Sequence, residues 1–132
     1  MSAESVAIIA SGGGLDTAYK VFNIATAAAS TDAKVSVFFT FEGLMMIHKQ
    51  AREQLSMGPG KEHLEQQLKS AGLPTIAELT EIAVESGVEM IACQMTMDAF
   101  HIEKEELVDG IEVGGAVTFL EAGYNADVTL TF

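Results

Sequence analysis

The feature that most restricts the fold is the spacing of five short apolar runs. "SVAIIAS" (Ser5 to Ser11), "KVSVFFTF" (Lys34 to Phe41), "VEMIAC" (Val88 to Cys93), "IEV" (Ile111 to Val113) and "ADVTLTF" (Ala126 to Phe132) read as strands. Consecutive runs are separated by stretches of crossover length, too long for a two-residue hairpin. Strands joined by crossovers lie parallel, and a parallel sheet is covered on both faces. The expectation is a three-layer α/β fold of about five parallel strands with helices on both faces, in one domain over residues 1–132.

The intervening segments carry the helices. "LDTAYKVFNIATAAAS" spaces Leu15, Ala18, Val21, Phe22, Ala25 and Ala29 at three and four, the pattern of a helix on a sheet. "EGLMMIHKQAREQL" reads as a second helix. "PTIAELTEIAVESG" puts Ile76, Leu79, Ile82 and Ala83 on an apolar side and Glu78 and Glu81 on a polar one, with Pro74 early and Gly87 as the stop. "QMTMDAF" begins a helix or helical turn, "IEKEELVDG" reads as a short acidic helix closed by Gly110, and "GGAVTFLEAGYN" as a helix opening on Gly114 and Gly115. Between Met57 and Glu62 the Gly58-Pro59-Gly60 turn interrupts any helix, and this exposed excursion is a candidate lid.

Composition removes several classes of function. Seven basic against 19 acidic residues give a net charge of −12, which repels a phosphate backbone and argues against a nucleic-acid partner. No apolar run approaches the roughly 20 residues of a membrane span, and "MSAESVAII" lacks the basic start of a signal peptide, so a cytoplasmic protein is expected. Cys93 is the only cysteine, which excludes an internal disulfide, a CxxC redox motif and a multi-cysteine zinc site. His48, His63 and His101 show no paired ligand spacing. Cys93, Met95, Met97 and His101 could be grouped as soft-metal ligands, but methionines at this spacing read as core or pocket lining, so neither a metal nor a cofactor is expected. At 48% hydrophobic residues, so short a chain is expected to hide apolar surface in a homo-oligomer.

In a parallel sheet the loops that follow strands gather at one edge, where ligands bind. That edge collects Ser11 to Asp16 with Gly12, Gly13 and Gly14, then Thr40 to Leu44 with Glu42, then Cys93 to Met97 with Gln94 and Met95, then Gly114 and Gly115. Two readings of Cys93 stand side by side. It is a small buried filler, or a thiolate favoured by the amides at a helix start. "SGGGLD" is a tight strand-to-helix turn or an amide cradle for an anion, and it matches neither GxGxxG nor the P-loop. Asp16 supports the first helical turn or tunes the pocket, and Glu42 is a solvated first-turn residue or a pocket group. His101, eight positions after Cys93, is a helix-end residue or a base for the thiol. Glu103, Glu105, Glu106 and Asp109 form a solvated face or a docking patch for a basic partner.

"VSVFFTFEGLMMIHK", "GLPTIAELTEIAVESGVEMIACQMTMDAFHI" and "GIEVGGAVTFLEAG" together resemble the DsrE/DsrF-like family of sulfur-relay proteins, especially its single-domain branch labelled peroxiredoxin-like. The resemblance covers nearly the whole chain. It implies a flavodoxin-like fold, a trimer or hexamer, and a cysteine that holds a persulfide, which by its motif is Cys93. It also implies sulfur donor and acceptor proteins as partners. Glu42 stands where related "TFxGL" sequences carry an aromatic residue, and the peroxiredoxin label fits poorly because no second cysteine exists to resolve an oxidised one. The competing expectation is a non-catalytic oligomeric module that uses the glycine-lined edge for a small ligand or partner segment. Flavin or nucleotide binding is suggested by the fold alone.

Overall fold

The computed structural model describes residues 4–132. Residues 1–3, the start of the stretch read for a signal peptide, lie outside the described residues. Strands β1 (Ser5–Ala10), β2 (Lys34–Phe39), β3 (Glu89–Cys93), β4 (Ile111–Gly114) and β5 (Val128–Thr131) form one parallel sheet in the order β4-β3-β2-β1-β5. Helices α1 (Leu15–Ser30), α2 (Glu62–Ser70), α3 (Ile76–Glu85), α4 (Gln94–Phe100) and α5 (Ala116–Gly123) connect them. This is the expected three-layer, flavodoxin-like layout.

The order of the strands fixes which face each helix takes. From β1 through β4 the chain steps in one direction across the sheet, and from β4 to β5 it returns across the whole width. Parallel crossovers are right-handed, so the returning helix α5 must lie on the face opposite to α1 and α3. The period-two alternation of the strands sorts the side chains accordingly. Ile8, Val37, Phe39, Met90 and Ala92 face α1 and α3, where Phe22 meets Phe39 with ring centroids 6.2 Å apart. Ala7, Phe38, Ile91 and Cys93 face α5, where Phe119 covers Phe38 at 5.4 Å.

Helix α3 begins as a two-way cap: Thr75 Oγ1 accepts from the Glu78 amide at 3.1 Å, and Glu78 Oε1 accepts from the Thr75 amide at 3.2 Å. Its inward stripe is Ile76, Thr80 and Ala83, so the expected inward Ile82 is exposed instead. The buried Thr80 is accommodated because its hydroxyl donates to the Ile76 carbonyl at 2.7 Å.

Three segments differ from expectation. The second helix is replaced by two 3-10 segments, Phe41–Ile47 and Ala51–Gln54. His48 interrupts them with an extended backbone, pairs antiparallel with Leu107, and accepts the Gln50 and Ala51 amides on Nδ1 at 3.2 and 3.1 Å. An α-helix follows the glycine turn: α2 starts two residues after Gly60, although it buries no side chain of its own. Glu65 ties the excursion down by accepting the Met57 amide at 2.6 Å and pairing with Lys69 at 3.1 Å. The Met57 amide, followed by Lys69, outweighs desolvation and holds the Glu65 carboxyl below its ordinary range. The acidic helix shrinks to a 3-10 turn, Lys104–Glu106.

Gly43 sets how closely the first 3-10 segment approaches the sheet. A Cβ there would collide with the Ala10 carbonyl and come within 3.1 Å of the Ser11 amide nitrogen, backbone that cannot step aside. Gly43→Ala is expected to cost about 3 kcal/mol, lowering Tm by about 10 °C in a domain of this size. Gly123→Ala meets only ordinary contacts with Phe119 and is expected to change stability by less than about 1 kcal/mol. Thermal unfolding of both variants checks the contrast.

Candidate functional site

Cys93 is the last residue of β3 and the N-cap of α4, with extended backbone angles of φ −68° and ψ 115°. Its partner across the sheet is Gly114, where Thr118 of α5 takes the room that a side chain would fill. One step beyond the Phe39–Ala92 pair, Thr40 flanks it on the other side. After β3 the chain turns toward the α1 and α3 face, where Met97 of α4 joins the core, whereas after β4 it turns into α5 on the opposite face. Cys93 and Gly114 therefore stand where neighbouring strand ends part, the position that binds ligands in open parallel sheets.

The thiol is 5% exposed, packed with Ile91, Phe38 and Phe119. Burial pushes its pKa up. The hydroxyls of Thr96 and Thr40 and the amides of Thr96 and Met95 outweigh that effect and hold the thiol below its ordinary range. The causes of the shift are dipoles, with no Lys, Arg or His charge among them. Thr96, 1% exposed, accepts the Phe41 amide on Oγ1 at 3.0 Å, and its oxygen lies 3.3 Å from Thr40 Oγ1. Phe41 reaches this position with φ at +51°, a left-handed conformation that non-glycine residues seldom adopt. Around this cluster the surface is apolar: Phe41 and Phe100 meet edge to face at 6.5 Å, and Met95 is 63% exposed.

The other candidate residues are distributed along the same edge. The Ser11 and Gly12 amides donate to Phe132 O at 2.7 and 3.2 Å, and the Ser11 hydroxyl adds a third bond at 3.0 Å. The Leu15 amide donates to Ser56 O at 2.9 Å. These amides of the glycine loop thus close the chain onto itself, which is the turn reading of "SGGGLD". Gly13 allows Glu42 to lie close, since a Cβ there would stand 2.8 Å from Glu42 Cβ. Gly14 is the N-cap of α1, and Asp16 in its first turn lies 3.9 Å from Lys20. Gln94 Nε2 donates to Asp98 Oδ1 at 2.8 Å on the exposed side of α4. Gly115 is the N-cap of α5, and Gly114 leaves the room that Thr118 occupies.

His101 closes α4 at its far end, with φ at +55°, about 12 Å along the helix axis from Cys93. It lines a cavity of about 460 Å³ with Glu42, Met45, His48, Phe100 and Glu106, whose lining contains no Lys or Arg. Cys93 does not line that cavity. Glu106 faces His48 at 3.5 Å, and its carboxyl is held below its ordinary range by the Glu103 amide first, with His48 adding to it. Met95 is exposed and Met97 is buried, and among the described residues no group of three or more His, Cys, Asp or Glu is arranged to hold a metal ion.

The sequence reading gathered Thr40 and Thr96 at this edge but gave neither a role of its own. The available signal was register: strands β2 and β3 end together, so the first residue beyond β2 is a neighbour of Cys93. Phe41 and Phe100 come together only through tertiary packing.

A family model described as DsrE/DsrF/DrsH-like matches residues 2–64 and 55–131, two segments that meet at the coil leading into α2. Sulfur carrier protein DsrE2 of Allochromatium vinosum is 36% identical over 157 aligned positions, covering 98% of this chain and 99% of that protein. An uncharacterized Bacillus subtilis protein, YrkE, is 26% identical over 149 positions, covering 93% of each. The crystal structure of the Escherichia coli YchN protein superposes with a TM-score of 0.74 at 20% identity, covering 98% of this chain and 99% of that one.

The depressed thiol has a direct consequence in solution. The midpoint of Cys93 alkylation against pH in the native protein is expected to lie below that of the same thiol in the denatured chain, about 8.5. An acid with a lowered folded-state pKa stabilises the fold at pH values above the unfolded midpoint, and the stabilisation disappears as pH falls through the folded midpoint. A native midpoint at or above the denatured one would contradict the assignment of the four donors.

Proposed function

The chain belongs to the DsrE/DsrF/DrsH-like family, and from that premise we propose that it is a sulfur-relay protein that carries sulfane sulfur as a persulfide on Cys93. The observation that carries this reading is the single thiol of the chain, standing where β3 and β4 part with its pKa lowered despite burial. The relative named as a sulfur carrier, aligned over nearly the full length of both chains, supports it independently.

The chemistry needs one sulfur and no redox partner. The Cys93 thiolate attacks the outer sulfur of a donor protein's persulfide; the new S–S bond forms as the donor's breaks, and the donor leaves as a thiolate. The acceptor cysteine thiolate then attacks the outer sulfur on Cys93, and Cys93 leaves as the thiolate. Oxidation states are exchanged between partners, so no oxidant is consumed. The lowered pKa of Cys93 assists both halves: more of the thiol is ionised for the attack, and a low-pKa thiol leaves faster in the second step.

One observation favours the non-catalytic binding module. Cys93 is 5% exposed among Ile91, Phe38 and Phe119, as a filler residue would be. A filler, however, has no use for a depressed pKa, and Cys93 keeps one despite its burial, which is why the carrier reading leads. Intact-mass spectrometry after incubation with polysulfide or a persulfidated donor distinguishes the two. The expected result is a gain of one or more sulfur atoms, reversed by reductant and absent in Cys93→Ser. Loading that persists in Cys93→Ser, or no loading from any donor, would overturn it.

We assign the protein to the reducing cytoplasm, where a persulfide carrier meets its donors and acceptors. Among the described residues no helix is long and apolar enough to cross a membrane. The same proposal includes a homotrimer or hexamer, supported by Val117 and Tyr124 on α5, which are 72% and 79% exposed. Sedimentation at micromolar concentration is expected to give three or six copies, and a monomer would overturn the assembly.

A further inference from the structure

Arg52 carries donor capacity that the fold does not use. Its side chain is 19% exposed, and Nε is buried without a hydrogen-bond partner among the described residues. Its one ion pair, with Glu53 Oε1 at 3.9 Å, is too long for a hydrogen bond. A guanidinium has five N–H donors and stays charged, and a buried charged donor without an acceptor is costly. Such a group in a folded protein calls for an explanation outside the chain's own hydrogen bonds. Arg52 lines a cavity of about 440 Å³ between the second 3-10 segment, the C-terminal half of α3 and the turn before β4. Lys49 stands with it, and Glu81, Glu85 and Asp109 line the same cavity. None of the four ion pairs among the described residues joins either cation to any of these three carboxylates. Opposite charges thus share one cavity, of the size of small-ligand sites, without closing on each other.

The walls of the cavity are fixed by backbone. The Lys49 amide donates to Glu106 O and the Val108 amide to Ile47 O, each at 2.9 Å, and His48 pairs with Leu107 between them. The Arg52 amide donates to His48 O at 3.0 Å. On the other side Gly110, with φ at +90°, brings the turn so close to α3 that a Cβ would stand 3.2 Å from the Val84 side chain. Lys49 Nζ donates to the Glu105 carbonyl at 3.1 Å, whereas no such bond holds Arg52 Nε. The cavity belongs to the edge where strands begin: Glu85 precedes the first residue of β3 by four positions and Asp109 that of β4 by two, while Cys93 ends β3. The five residues of β3, about 13 Å of strand, separate it from the thiol.

We propose that this cavity binds a small zwitterion, the size of an amino acid or a dipeptide, with its carboxylate on Arg52 and its ammonium group among Glu81, Glu85 and Asp109. A guanidinium fork matches a carboxylate through two parallel hydrogen bonds, and an ammonium group supplies three donors to oxygens that only accept. A plain anion fits less well, because three carboxylates face two cations in the lining. A plain cation leaves Arg52 unanswered. A ligand with both groups answers both ends of the cavity, and the fixed walls spare it the cost of ordering the site.

The test is ligand binding by the full chain, followed by titration calorimetry and by the ligand-dependent rise in Tm. The probes are free amino acids and glycylglycine, with acetate and methylamine as the matching half-ligands. A probe with both charges is expected to bind and to raise Tm, and neither half-ligand is expected to do so at the same concentration. Arg52→Gln is expected to weaken the binding about tenfold to hundredfold, the effect of losing a hydrogen bond to a charged group. Glu81→Gln with Glu85→Gln, two exposed positions, is expected to weaken it as well. Cys93→Ser is expected to bind like the native chain, so a failure to bind and a failure to load sulfur are separate results. No binding by any probe overturns the proposal. Acetate or methylamine binding as tightly as the zwitterions overturns it too, as does unchanged affinity after the two glutamate exchanges. A merely structural Arg52 would shift Tm by itself and leave the affinity for the probes intact, which is a further contrary result. Should Arg52→Gln not fold, Arg52→Lys keeps the charge without the fork, weaker binding supporting the proposal and unchanged binding contradicting it.

Discussion

The handedness of parallel crossovers governs where everything else in this molecule lies. A chain that steps from β1 to β4 and then returns to β5 must send α5 to the face that α1 and α3 leave open. That single requirement separates the chain after β3 from the chain after β4. It leaves Cys93 opposite a glycine at the opening between them. It also leaves the α5 face thinly covered, with Phe119 as the one buried residue of the helix. The core under α1, by contrast, is filled by five buried residues from that helix alone.

The second consequence is electrostatic. In a chain of net charge −12, a thiolate would be expected to suffer from its surroundings. The hydroxyls of Thr40 and Thr96 and the amides at the start of α4 offset this at short range, whereas the carboxylates are dispersed over the surface. Stabilisation by dipoles has a property that stabilisation by a lysine would lack. It does not fix a salt bridge that must break when the sulfur becomes neutral in a disulfide-like bond. Hydroxyls can rotate to follow the charge as it appears and leaves.

The layers and strand number were legible because both rest on periodicity: each apolar run and its crossover length stand in the sequence in full. The strand order was not, since nothing in "ADVTLTF" says that it pairs with β1 rather than β4. The failed second helix shows a tertiary constraint overriding a local pattern, with Gly43 pressed against the Ala10 carbonyl and His48 drawn away to pair with Leu107. Helix α2 shows the reverse: glycines at 58 and 60 ended the preceding coil instead of preventing the helix that follows. At the site, Cys93 and the glycines were legible because each is rare or conformationally special. Thr40 and Thr96 fell within the same edge segments but their pairing was not legible, because a threonine at a strand end and another in a first helical turn look ordinary until register makes them neighbours.

Depth and reactivity at Cys93 are often treated as opposites, yet here they share a cause. Burial removes water from the sulfur, which raises the cost of its charge and at the same time strengthens each hydrogen bond that remains. The same cover limits access by small oxidants, to which an exposed low-pKa thiol is susceptible. On its own face that cover is mainly one aromatic side chain, Phe119, and exposing such a side chain costs about 1.5–3 kcal/mol. A partner that contacts the exposed Met95 and the apolar outer surface of α5 gains enough burial to offset a cost of that size. In the proposed carrier role, access to the sulfur is therefore expected to follow protein contact rather than diffusion of small molecules.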